Sequence, residues 1–212
     1  MIYALVKGLT LGVLLMISVG PILFTIIKQS INNGTKGGLA FISGVALSDL
    51  LLSITANLFT ALFNSILARK ELVGIVGCIF LVSAGVYFLF FKKVKANEDG
   101  KQVLIFRKRD YAKLFITGFL MNILNPGIWV FWLATATTFA THTVKERVVI
   151  FGVALVFVAL SDIAKVLLAN KLRQRMTVKN IQFISKLNGA ILIGFGFFLL
   201  WGMITFGGKF AH

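Results

Sequence analysis

Apolar residues run along this chain in long stretches, separated by short and mostly basic interruptions. A helix needs roughly 20 apolar residues to cross the hydrocarbon of a bilayer. Six stretches meet that requirement: Tyr3 to Ile27, Gly37 to about Asn64, Leu72 to Phe91, Leu114 to Ala140, Val148 to Ala169 and Leu187 to Phe206. Asn32-Asn33-Gly34, residues that tolerate positive φ, mark a turn between the first two. Short alternating segments of the kind a closed barrel demands are absent, so helices must satisfy the backbone in lipid. The pattern predicts an all-α polytopic membrane protein with six transmembrane helices. The first stretch lacks a basic leader and a small-residue cleavage site, and reads as a retained span.

The two prolines, Pro21 and Pro126, fall in the first and fourth stretches, and each following stretch carries an acid, Asp49 and Asp162. The echo divides the chain into two three-helix halves, residues 1–91 and 114–212, joined by a basic loop at 92–113 with a turn at Asn97-Glu98-Asp99-Gly100. Three spans is an odd number, so the second half enters the membrane with opposite polarity and the echo is an inverted repeat.

Composition agrees: 58% of residues are hydrophobic and the mean hydropathy is +0.93, more than one water-soluble core of this size would need. Against 22 Lys and Arg stand 7 Asp and Glu, a net charge of +15. In a polar chain that balance would suggest nucleic acid. Here the cations sit in short loops, so the expected partner is membrane lipid, not nucleic acid. Fifteen cations fall on one side, at Lys28 and Lys36, from Lys92 to Lys113 and from Lys171 to Lys186. Six fall on the other, at Lys7, Arg69, Lys70, Lys145, Arg147 and Lys209, while Lys165 lies within the fifth stretch. The asymmetry predicts a cytoplasmic (inner) membrane protein with both termini outside.

One cysteine, Cys78, and two distant histidines, His142 and His212, make neither a disulfide nor a metal site. No phosphate-binding or dinucleotide glycine loop is present, so no cofactor is expected. No nucleophile, base and orienter stand at plausible spacing, so no enzyme is expected either.

The candidate chemistry lies inside the spans. Gly20-Pro21 and Asn125-Pro126 each place a proline beside a residue that readily leaves helical geometry, so each should break or kink its helix. The half-helix after a break offers free N–H groups and a positive dipole end to an anionic ligand group; the alternative is a packing kink. Asp49 lies about 12 residues, or roughly 18 Å, into its span, near mid-membrane. It must be protonated, paired, hydrogen-bonded to a neighbouring helix or facing a wet cavity. Asp162 and Lys165 share a helical face, leaving open an ion pair or a snorkelling Lys165 that frees the acid. Asn122 and Asn125 also share a face, able to cap the freed backbone or to bind a ligand. The small-residue ridges Gly8/Gly12 and Ala40/Gly44/Ser48 read as packing, Trp129 and Trp132 as interface anchors, and Cys78 as filler.

Together these residues resemble the LysE/RhtB family of amino-acid exporters. The resemblance rests on Gly20-Pro21, the Gly-rich run from Gly34 through Gly44 to Asp49, and Asn122-Ile123-Leu124-Asn125-Pro126, in order over the whole chain. Ser48, Gly127 and Ser18-Val19 depart from the family pattern. The resemblance implies a homodimeric secondary exporter of amino acids or similar small metabolites, driven by proton antiport. Gly20, Pro21, Asp49, Asn122, Asn125, Pro126 and Asp162 are then the expected substrate and ion site, gathered at one midplane cavity. Alternative readings are an exporter of metal or other small ions, and a non-transporting membrane assembly subunit.

Overall fold

The computed structural model describes residues 2–17, 20–58, 70–91, 108–173 and 177–206. Helices are the only regular structure among the described residues. They are α1 (Ile2–Ile17), α2 (Pro21–Leu58), α3 (Lys70–Val86, continued by a π-helical turn at Tyr87–Phe91), α4 (Lys108–Ile123), α5 (Pro126–Thr138), α6 (Val144–Arg173) and α7 (Val178–Phe206). Ser18, Val19, the end of the second apolar stretch, Arg69, the basic loop up to residue 107 with its turn, Arg175, Lys209 and His212 lie outside the described residues.

Among the described residues, three helices are long and apolar enough to cross a bilayer: α2, α6 and Lys179–Phe198 of α7. The bent pair α4 and α5, at 62° to one another, makes a fourth such unit, while α1 and Cys78–Phe90 are apolar but shorter. The helices also extend beyond the apolar stretches, because their end signals lie in polar sequence. At the start of α6, Thr143 and Glu146 form a reciprocal capping box: the Glu146 carboxylate accepts from the Thr143 amide at 3.0 Å and the Thr143 hydroxyl accepts from the Glu146 amide at 3.3 Å. The Thr177 hydroxyl accepts from the Asn180 amide at 3.4 Å and starts α7 ten residues before Leu187. In the same way, α4 takes in the end of the predicted basic loop, from Lys108.

At 38 residues, α2 is interrupted at Gly34, with φ 68° and ψ −177°. In a straight helix Ser30 and Gly38 would stand about 12 Å apart along the axis. Here a Cβ on Gly38 would lie 2.5 Å from the Ser30 hydroxyl oxygen, so the chain doubles back at Gly34. Helix α2 is therefore a hairpin with a first arm at 21–33 and a second arm at 35–58. The turn falls at the Asn-Asn-Gly triplet as the sequence indicates, but all three residues are buried.

Glycine lets these helices touch backbone to backbone. A Cβ on Gly44 would strike the Phe115 carbonyl of α4, and one on Gly118 the Phe41 carbonyl of α2. Gly8 and Gly12 bring α1 onto α6 at Val153 and Phe157, and Gly85 meets Gly189 where α3 crosses α7. Small residues allow the close approach that drives association where lipid and side chain are equally apolar. Hydrophobic side chains such as Tyr3, Leu14, Leu160, Leu168, Phe198 and Trp201 are left exposed on the outside of the bundle. Lys7 and His142 meet at one end of it, their side-chain nitrogens 2.7 Å apart. Near the other end, Ile31, Ala169 and Ile181 pack together below the Gly34 turn.

A side chain at Gly34 must take up a backbone conformation that costs on the order of 1–3 kcal/mol. Gly34→Ala should therefore lower the unfolding temperature of the detergent-purified protein. Gly152→Ala, where a Cβ meets nothing within 4 Å, is the control. Equal stability of the two variants would contradict the hairpin turn.

Candidate functional site

Asp49 projects from the second arm of α2 into contact with two other helices. Its Oδ1 accepts from Asn122 Nδ2 of α4 at 2.8 Å and from the indole N–H of Trp132 on α5 at 3.1 Å. Asn122 Nδ2 also reaches the Ser48 hydroxyl at 2.6 Å, and Ser48 in turn donates to the Val45 carbonyl. All four side chains are buried, Trp132 completely. A carboxylate in an apolar interior keeps its charge only when donors surround it, and α4 and α5 each supply one. Trp132 is held against Phe151 of α6, rings 5.8 Å apart and nearly parallel, and edge-on to Phe131. Its indole N–H therefore cannot turn away from Asp49 without unpacking that core.

Asp162 of α6 forms an ion pair with Lys165, Nζ to Oδ1 2.9 Å. Of the two alternatives open in the sequence, the structure takes the pair. It does not remove the acid from the site, because Asp162 and Asp49 line the same cavity of about 220 Å³. Leu15 of α1, Trp132 of α5 and Leu155 and Ala159 of α6 supply much of the remaining wall. The chamber is an apolar pocket with two carboxylates, too small for the drug-sized ligands that occupy roughly 300–1,000 Å³. Among the described residues, no three of His, Cys, Asp and Glu gather as a metal-holding group.

The two proline breaks exist, and among the described residues Gly20, Pro21 and Asn125 are not part of this cavity's wall. Helix α1 ends before the non-helical Gly20, and α2 begins at Pro21, with the Leu23 amide bonded to the Gly20 carbonyl at 3.1 Å. At the second break Asn125 is the N-cap of α5: its side chain accepts from the Gly127 amide at 3.0 Å and its carbonyl from the Ile128 amide at 3.1 Å. The Leu23, Gly127 and Ile128 amides, among those expected to face a ligand carboxylate, are engaged within the chain. The two asparagines, three residues apart, divide the alternatives between them: Asn125 caps the break and Asn122 reaches the acid. Trp129 closes the other side of the break by donating to the Ile123 carbonyl.

Two residues read otherwise from the sequence belong to buried polar chemistry. Trp132 looked like an interface anchor and is instead a direct partner of Asp49, because the break at 124–125 swings α5 inward across the second arm. Lys28 looked like a loop cation, yet it is completely buried on the first arm with Nζ 3.1 Å from the centre of the Phe88 ring. A sequence signal for the paired acids was also present. Val45-Ala46-Leu47-Ser48-Asp49-Leu50 recurs as Val158-Ala159-Leu160-Ser161-Asp162-Ile163, five of six positions identical.

A family model described as LysE type translocator matches residues 13–202, which include both breaks, both acids, Asn122 and Trp132. No curated protein and no solved structure matches the chain.

If Asn122 stabilises Asp49 as the geometry indicates, their substitutions are not additive. In a double-mutant cycle, Asp49→Asn and Asn122→Leu should couple by about 0.5–3 kcal/mol in unfolding free energy. Purely additive effects in detergent unfolding would show that the 2.8 Å contact stabilises nothing.

Proposed function

The chain belongs to the LysE type translocator family, a family of transporters and not of enzymes, and on that premise we propose a secondary active exporter of amino acids or similar small metabolites, driven by proton antiport across the cytoplasmic membrane. The observation that carries this reading is the cavity shared by Asp49 and Asp162. Two acids facing one small apolar chamber can exchange a proton for a cargo ammonium group, since each neutralises the same negative charge.

In the cycle we propose, the chamber opens to the cytoplasm with Asp49 ionised, and the cargo ammonium settles against it. The loaded carrier then opens outward, where a proton taken up by Asp49 displaces the cargo. The protonated carrier returns and releases its proton to the cytoplasm. Ligand and proton shift the populations of two states in opposite senses, which is all that antiport requires. Lys165 neutralises Asp162, leaving the chamber one net negative charge to be met by either a proton or a monocation.

We also read the architecture as six spans in two inverted halves. Helix pairing supports this. Helix α1 packs on α6 as α4 packs on the second arm, and α3 packs on α7. Exchanging the halves maps the first contact onto the second and the third onto itself. The first arm with α1, and α5 with α4, then make the two broken spans. Lys7 and His142 meeting at one end agree with an outer face holding the N-terminus and the α5–α6 turn.

The test is efflux from loaded proteoliposomes with a panel of labelled amino acids, with and without a proton gradient. Gradient-dependent efflux of at least one amino acid is expected from the native protein. Asp49→Asn should insert normally yet lose that efflux, while Lys165→Met leaves two uncompensated acids and should shift preference toward dicationic cargo. Unchanged gradient-driven transport by Asp49→Asn would remove Asp49 from the mechanism.

A further inference from the structure

The exporter reading leaves the cargo open among amino acids and similar small metabolites, and the chamber lined by Asp49 and Asp162 narrows it. Both acids are 6% exposed. Asp49 accepts its two side-chain donors at Oδ1, and Lys165 meets Asp162 at Oδ1 as well. Each acid therefore keeps its second oxygen, Oδ2, without a hydrogen-bond partner among the described residues, and neither Oδ2 is sealed off inside the protein. A buried carboxylate oxygen that meets no donor is destabilising, so two of them on one chamber favour a ligand rich in donors.

The rest of the wall is apolar among the described residues. Leu15, Leu155 and Ala159 carry no polar group, and the indole N–H of Trp132 is already bonded to Asp49. Ala46, Leu50 and Val156 belong to the same wall and are exposed, so the way in is apolar too. A cargo carboxylate here would find no donor and would face two acids. Burying an unpaired anion is costly, and like charges nearby add to the cost. A primary ammonium is the reverse case. It brings one positive charge and three N–H donors to a chamber with one net negative charge and two open oxygens. Size sets a second limit: an apolar cavity of about 150 Å³ takes up benzene, so one of about 220 Å³ admits a body of roughly nine non-hydrogen atoms.

We propose that the chamber selects primary amines on a short apolar body, up to about the size of phenethylamine, and disfavours the same body when it carries a carboxylate. Resting on the exporter reading, this makes a decarboxylated amine the better cargo and its parent amino acid the poorer one. The Oδ2 atoms of Asp49 and Asp162 hold the ammonium, and Leu15, Trp132 and Leu155 receive the apolar body.

Binding tests this without transport. The full-length protein in neutral detergent at neutral pH is heated with isoamylamine, with its parent leucine, with isoamyl alcohol and with the trimethylammonium analogue of the amine. Phenethylamine and phenylalanine form a second pair. Each amine should raise the unfolding temperature at concentrations about tenfold or more below those its parent amino acid needs. The alcohol lacks the charge and the trimethylammonium analogue lacks the N–H donors, so neither should match the amine. The rise should vanish in Asp49→Asn and in Ala46→Phe, which keeps both acids and fills the chamber from its exposed rim. No rise with either amine, amino acids as effective as their amines, an alcohol or trimethylammonium analogue as effective as the amine, or a rise that survives either substitution overturns the assignment. Should Asp49→Asn not fold, Ala46→Phe decides. Proteoliposome efflux is read separately. Amine-selective binding by a protein that shows no gradient-dependent efflux overturns the exporter reading and leaves the chamber's selectivity standing. Gradient-dependent efflux by a protein that binds leucine as tightly as isoamylamine does the opposite.

Discussion

One carboxylate oxygen holds the centre of this protein together. Asp49 Oδ1 receives a donor from α4 and another from α5, so a single acceptor joins the second arm of α2 to both sides of the break at Asn125-Pro126. In a bilayer no water stands ready to replace those donors, and the helices gain little from the hydrophobic effect on one another. Much of the surrounding arrangement serves this contact. Gly44 and Gly118 bring α2 and α4 close enough for Asn122 to reach, and the 62° bend carries Trp132 across. The stack on Phe151 then fixes the indole.

The second acid shows what happens when the same segment lacks such partners. Asp162 occupies the position in α6 that Asp49 occupies in α2, within a nearly identical hexapeptide, but its ion pair is with Lys165 on its own helix. One acid is tied across three helices, and the other is satisfied within a single turn. Both nonetheless border the same chamber. Two nearly identical hexapeptides thus give unlike chemistry on the walls of one chamber. The same division extends to the buried cation. Lys28 follows Pro21 by seven residues, and the residue seven after Pro126 is the apolar Leu133.

Polar residues inside the bundle are thereby sorted by function. Asn125 and Trp129 mend the broken backbone, Asn122 and Trp132 hold an acid, and Thr25 and Asn32 of the first arm meet Asn188 and Ser185 of α7. Residue type alone does not distinguish these uses, since asparagine appears in all three and tryptophan in two.

The linear order of residues determined the helical class, the membrane address, both proline breaks and the turn at Gly34. These follow from composition, from backbone rules for proline and glycine, and from the length a helix needs in lipid, all of which act locally. It also singled out both acids, because a charge in an apolar run is conspicuous without any knowledge of its surroundings. Only the tertiary structure decided what those acids touch. That Trp132 turns inward, that Lys28 is buried and that Asn122 and Asn125 part company all depend on how far one helix swings and which helix it meets. Such contacts join residues 70 or more positions apart, and the geometry at a bend sets them where no local pattern can.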